Sequence, residues 1–258
     1  MAINWDEVQK NLYPIKNYEE LSKRLRESFS YSFICDTYNR KLPELIDYTH
    51  RLLGGDSRQR YAEYDAKITQ TLACLAQSGC GNVANLIENT CAPKKLEIFV
   101  NQVKLPVGDV ISVLKYLVYW FIPGEKYLSG LIQNDATMSQ AIKRLGENGI
   151  RTNLQLLQSG ITKEGRNSLA RMTRLPLNVI AGLVNRADFS RIPWASKATI
   201  SNIIGAGYPS IAQLANANPE QLYANFFKYG ESIGKNLKLG NEIENSFRIA
   251  KIIPAIQK

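Results

Sequence analysis

Histidine is nearly missing from this chain: His50 is the one copy in 258 residues. Acid–base catalysis near neutral pH would therefore fall to carboxylates. The acid pairs on offer, Glu19-Glu20 and Glu242 with Glu244, sit in polar helical faces where solvated charge is the commoner use. Cysteine is sparse too: Cys35, Cys74, Cys80 and Cys91 show no Cys-x-x-Cys spacing, and His50 is far from them in sequence. That excludes the spacings of structural zinc sites and leaves free thiols in a reducing compartment as the expectation. No Walker loop, no Gly-x-Gly-x-x-Gly after a strand, no nucleophile elbow and no His-Glu-x-x-His occurs. The chain is expected not to be an enzyme and to need no cofactor and no metal. Long apolar runs are absent as well. The longest, Tyr116 to Ile122, falls far short of the ~20 residues that span a bilayer. The opening MAINWDEVQK is not a secretory signal, so a soluble, cytoplasmic protein without membrane contact is expected.

Positive charge and helical punctuation are what the sequence does have. The formal net charge is +9. Between Gln140 and Ile200 ten cations face three acids, so +7 of the excess falls in one stretch of about sixty residues. The segment up to Ala66 is close to neutral. The basic stretch contains Gly160 to Pro193, which reads as a pair of helices. Thr162 caps the first, with Leu169, Met172 and Thr173 at helical spacing until Leu175-Pro176; Pro176 suits the first turn of the second, Leu177 to Arg186.

Elsewhere the pattern is helical throughout. Asn17 followed by Glu20 resembles a capping box ahead of Leu21, Leu25 and Phe29 on one face. Pro43 opens a helix that Gly54-Gly55 ends, with His50 on it as a surface residue, and Asp56 caps the next. Phe29, Tyr31, Phe33, Tyr38 and Tyr48 are expected to pack rather than to stack bases. Asn218-Pro219 restarts a helix, and Asn241 to Ile253 is the last one.

Past Gly79 the chain matches itself at an offset of 70: Gly79 on Gly149, Leu86 on Leu156, Leu105-Pro106 on Leu175-Pro176, Ile122-Pro123 on Ile192-Pro193. Apolar positions follow, with Phe99 on Leu169, Val110 on Ile180 and Val113 on Leu183. A shorter echo at offset 58 sets Gly149, Thr152, Gln155 and Leu156 on Gly207, Ser210, Gln213 and Leu214. These are the marks of a duplicated helical unit. The expected architecture is all-α: a helical N-terminal module (1–66), a degenerate repeat (67–144) and a second repeat with a C-terminal helix (145–258).

The stretches LLQSG-x-TKEGRNSLA, LVNRADFSRI and IIGAGYPSIAQLANANPEQL resemble an uncharacterised prokaryotic family of tandem helix-hairpin-helix, SAM-like units, over about residues 146–222. The resemblance rests on Gly160, Gly165, Arg166, Leu169, Ala170, Asn185, Ala187, Asp188, Arg191 and Ile192. A decayed copy at about 76–146 lacks the Gly-Arg pair and has Lys95 and Leu96 there. The resemblance implies a DNA-binding hairpin whose backbone amides meet a phosphate. In this sequence that hairpin is Ile192 to Lys197, with Trp194 and Ser196 at the usual glycine positions.

Together these features point to a non-enzymatic nucleic-acid-binding accessory protein, contacting DNA in preference to RNA and without sequence specificity. The expected contacts are Arg151, Lys163, Arg166, Arg171, Arg174, Arg186, Arg191 and Lys197, with Arg171 and Arg174 on one helix face and Arg151 and Lys163 near helix starts. The alternative is a helical protein–protein adaptor without nucleic-acid contact, anchored by Trp194, Tyr208 and Tyr223. Its bland companion keeps Arg166 and Arg191 inside, pairing with Asp188 or capping carbonyls.

Overall fold

Capping side chains open most of the helices. In the computed structural model, which describes residues 3–54, 59–133 and 135–256, every regular element among the described residues is helical. Among the described residues there are sixteen α-helices, joined by short π and 3-10 turns. The expected Gly55 stop and Asp56 cap lie outside the described residues. The chain divides into two units, Met1–Gly124 and Glu125–Lys258.

The first unit begins with α1 (Trp5–Leu12), α2 (Tyr18–Phe29) and α3 (Ser32–Tyr38). Asn17 caps α2 by accepting from Glu20 N, while the Glu20 carboxylate accepts from Lys16 N at 3.2 Å. Leu21 and Leu25 are buried below, and Phe29 is half-buried. Then come α4 (Leu42–Leu53), α5 (Gln59–Gln77), α6 (Val83–Asn89), α7 (Pro93–Val103) and α8 (Val107–Tyr116), followed by a π turn, Leu117–Phe121. Helix α8 is the spine: it packs against α1 and α5, and α5 against α4. Phe121 receives Tyr38 and Tyr48 edge-on at ring distances of 5.4 and 5.1 Å, so the N-terminal aromatics are used in packing. His50 is exposed as expected, but it has an acid partner: its Nδ1 lies 2.8 Å from Asp65 Oδ2 on α5.

The second unit opens with a 3-10 turn, Leu128–Leu131, then α9 (Ala136–Glu147), α10 (Asn153–Gly160), α11 (Lys163–Thr173) and α12 (Leu177–Phe189). After these come α13 (Lys197–Gly205), α14 (Ile211–Ala215), α15 (Pro219–Ser232) and α16 (Asn245–Ala250), the last preceded by a π turn at Gly240–Glu244. Helices α10, α11 and α12 pack on one another, α9 rests on α12, α13 on α15 and α14 on α16. Leu154, Leu157, Ile180, Leu183, Val184 and Phe189 fill the middle.

The 70-residue offset recurs in the boundaries. Helix α7 coincides with α11 end for end, α5 and α9 stop at equivalent residues, and α8 and α12 start at equivalent residues. Gly79 and Gly149 take the left-handed conformation (φ 89° and 81°), which glycine adopts without steric cost. More tellingly, Lys104 and Arg174 end α7 and α11 with φ 54° and 53°, a conformation that L-residues other than glycine, Asn and Asp seldom enter. Each unit also carries one isolated antiparallel bridge, Lys41 with Asn82 and Tyr127 with Thr152. In the first, Leu42 N donates to Gly81 O and Val83 N to Arg40 O; in the second, Leu128 N donates to Arg151 O and Asn153 N to Lys126 O. The repeated motif thus starts upstream of Gly79, at a strand-like clasp whose leading arm is offset by 86.

Candidate functional site

Five of the eight sequence-predicted cations are exposed. Arg151 stands just before the Thr152 cap of α10, Lys163 is the first residue of α11 and Lys197 the first of α13. Arg171 lies in the last turn of α11. Arg174 lies past the end of that helix in the left-handed cap, so the i, i+3 relation to Arg171 does not set its direction. The Arg174 carbonyl accepts instead from Arg144 Nη1 at 3.3 Å, bringing a third arginine beside it.

The other three arginines are engaged internally. Arg166 Nη1 donates to the carbonyls of Gly160 and Ile161 at 3.2 and 2.9 Å, closing the end of α10. Arg186 is half-buried, with Nη1 reaching Leu131 O and Ser201 Oγ; burial holds its pKa below the usual guanidinium range, and Asp135 opposes that shift. Arg191 is 5% exposed, pairs with Asp188 Oδ1 at 2.6 Å and donates to Pro254 O at 2.8 Å. Between Gln140 and Ile200 the exposed charges are then Lys143, Arg144, Arg151, Lys163, Arg171, Arg174 and Lys197 against Glu147 and Glu164.

The helix starts are partly occupied by their own side chains. Thr152 and Gln155 form a reciprocal capping box on α10, Thr162 Oγ1 accepts from Gly165 N on α11, and Ser196 Oγ accepts from Thr199 N on α13. The Ile192–Lys197 hairpin ends in that Ser196 cap. Trp194, Tyr208 and Tyr223 are all half-buried, and Tyr208 OH accepts from Asn225 Nδ2 at 3.2 Å.

The Gly-Arg pair has a structural explanation. A Cβ at Gly165 would lie 2.2 Å from Ser159 O, so only glycine lets α11 approach the end of α10 so closely, and Arg166 then answers the carbonyls exposed there. In the first unit the equivalent carbonyls belong to Thr90 and Cys91. They accept from Tyr18 OH and, at 2.5 Å, Ser22 Oγ, both on α2. The pair absent from the first copy is replaced by two hydroxyls of the N-terminal module, and Lys95, at the position of Gly165, sends its Nζ to Glu88 O at 3.3 Å.

Sequence reasoning missed Met172 and Leu177, which are 48% and 46% exposed on either side of Arg174. Leu177 aligns with Val107, which is 8% exposed on α8, the helix that α1 packs against. Met172 shares the helical spacing of Leu169 and Thr173, but only those two are buried on α11. An open depression of about 400 Å³ is lined by Gly207, Tyr208, Ala212, Gln213 and Asn216, and another of about 390 Å³ by Phe227, Glu231, Gly234, Lys235, Asn236 and Leu237. Among the described residues no group of three or more His, Cys, Asp or Glu is placed to hold a metal ion, and no helix is long and apolar enough to cross a membrane.

No curated protein and no solved structure matches the chain. Residues 136–241, from the first residue of α9 to the π turn before α16, match the model of a family described as Domain of unknown function (DUF4332).

Proposed function

We propose that this chain is a non-catalytic binding protein whose second unit holds a protein partner. The observation that carries this reading is the pairing of two large exposed apolar side chains, Met172 and Leu177, with the exposed arginines Arg144, Arg171 and Arg174 at the junction of α11 and α12. Apolar anchors ringed by arginine are the composition of protein interfaces, whereas a phosphate-tracking surface gains nothing from an exposed leucine. The test is purification of the full chain from nuclease-treated lysate. A stoichiometric protein partner that survives the nuclease supports the reading, and a chain that elutes alone counts against it.

Nucleic-acid binding is the second reading, favoured by the seven exposed cations against two exposed acids between Gln140 and Ile200. It now rests on the five exposed candidates, Arg151, Lys163, Arg171, Arg174 and Lys197, and the resemblance of the sequence to tandem helix-hairpin-helix units supports DNA as the ligand. Duplex and single-strand binding across a salt series, for the wild type and an Arg171→Glu, Arg174→Glu variant, decides it. Counterion release demands an affinity that falls steeply with salt and is lost in the variant.

A further inference from the structure

The two units differ at one equivalent surface. In the first, α1 packs on α8; Val8 and Leu12 of α1 are buried, and so are Val107 and Ile111 of α8. The approach is close: a Cβ on Gly108 would sit 3.1 Å from Asn11 Nδ2 and 3.4 Å from Glu7 Oε1. Lys115 Nζ fastens the end of α1 by donating to Asn11 O and Tyr13 O, both at 2.7 Å. In the second unit the equivalent stripe is Leu177, Asn178 and Ala181. Among the described residues no counterpart of α1 precedes α9 there, Leu177 and Asn178 are exposed, and Ala181 is half-buried.

We propose that this stripe of α12 is the seat of an amphipathic helix from a partner protein, lying as α1 lies on α8 and carrying carboxylates toward Arg144 and Arg174. The inference rests on the adaptor reading and names the partner's chemistry. The first unit shows what kind of element covers such a stripe: a short helix with Asp6 and Glu7 in its first turn and apolar residues four apart. The rim of the second unit raises the demand for acid, since Lys104 is joined at the equivalent of Arg174 by Cys74 and Asn101, where the second copy has Arg144 and Arg171. One difference sets the register. Asn178 stands where Gly108 admits Asn11, so the partner helix carries a small residue at the position of Asn11.

The probe is a labelled peptide of residues 3–16 with Asn11→Ala, titrated against the full chain. The chain's own α1 is tethered at high effective concentration and is not displaced, so the peptide reports on the vacant stripe. A free peptide of this length is mostly unfolded, and saturable binding around 100 μM is expected. Leu177→Asp should weaken it by about tenfold or more, as should Asp6→Lys, Glu7→Lys in the peptide. Asn178→Gly should let the unsubstituted peptide bind several-fold more tightly, a gain that misfolding cannot produce. Absence of saturable binding, or binding indifferent to Leu177→Asp and Asn178→Gly, overturns the proposal. A concentration-dependent dimer abolished by Leu177→Asp assigns the stripe to a second copy, and DNA binding sensitive to Arg144→Glu but not Leu177→Asp assigns the rim to phosphate; either outcome overturns it too. If the nuclease-resistant partner is retained by the Leu177→Asp chain, this inference fails while the adaptor reading stands. If no partner exists and no peptide binds, both fail.

Discussion

Replacing Gly165 with alanine tests the account of the α10–α11 hairpin. The added Cβ would meet Ser159 O at 2.2 Å, Ser159 C at 3.2 Å and Thr162 Oγ1 at 3.1 Å. Relief to ordinary contact requires roughly 1 Å of separation, and the obstructing atom is backbone, so no rotamer change supplies it. The shift also draws the Arg166 guanidinium from the Gly160 and Ile161 carbonyls and loosens the Thr162 cap. Overpacking costs about 1–3 kcal/mol, and an obstacle made of backbone places this case near the top, about 3 kcal/mol. For a unit of the size of Glu125–Lys258 that corresponds to a Tm lower by about 10 °C. Scanning calorimetry of the full chain measures it. A transition of the second unit within about 2 °C of the wild type would refute the claim that glycine is required there.

Gly146→Ala should act in the opposite direction: the glycine is inside α9 with open space around the added Cβ, so alanine should stabilise by about 0.5–1 kcal/mol in the same scan. Arg191→Met should strand the buried Asp188 carboxylate without its ion pair and free the Pro254 carbonyl, costing about 3–5 kcal/mol in urea unfolding; a loss below about 1 kcal/mol would show the pair to be dispensable. Alkali should weaken the first unit. Burial raises the Tyr18, Tyr64 and Tyr116 phenols well above their ordinary value, so the folded chain keeps protons that the unfolded chain releases from about pH 10. Stability is then whole below that pH and declines above it, so the urea midpoint of the first unit should fall between pH 9 and about 11, and an unchanged midpoint would refute the assignment.

Local chemistry was legible in the sequence, and anything set by a distant partner was not. Asn17 and Thr162 cap helices as read, and Asn218 opens one, because each needs only a backbone amide three residues on. The 70-residue repeat was legible because Gly79 and Gly149, Pro106 and Pro176 punctuate helices by their own backbone restrictions. Its upstream part was not, because the arms of the two clasps, Lys41 and Tyr127, stand at a different offset from their partners. The arginines divide the same way. That Arg166 could cap carbonyls internally was readable as an option, but nothing near Arg186 in sequence announces Leu131 or Ser201, and a cation count cannot distinguish a buried Arg191 from an exposed Arg171.

The substitution of Tyr18 and Ser22 for the Gly-Arg pair has a kinetic consequence. In the second unit the carbonyls at the end of α10 find their donor five and six residues along the chain, so the hairpin can close as soon as it is made. In the first unit the donors are 72 and 69 residues away. Chain-closure entropy grows by about 2 kcal/mol between loops of those lengths. The first unit cannot complete its hairpin until its beginning has returned to meet it, whereas the second is finished from within. Two copies with nearly superimposable helix boundaries therefore differ in contact order, and the one synthesised first is the one that must wait for distant chain to arrive.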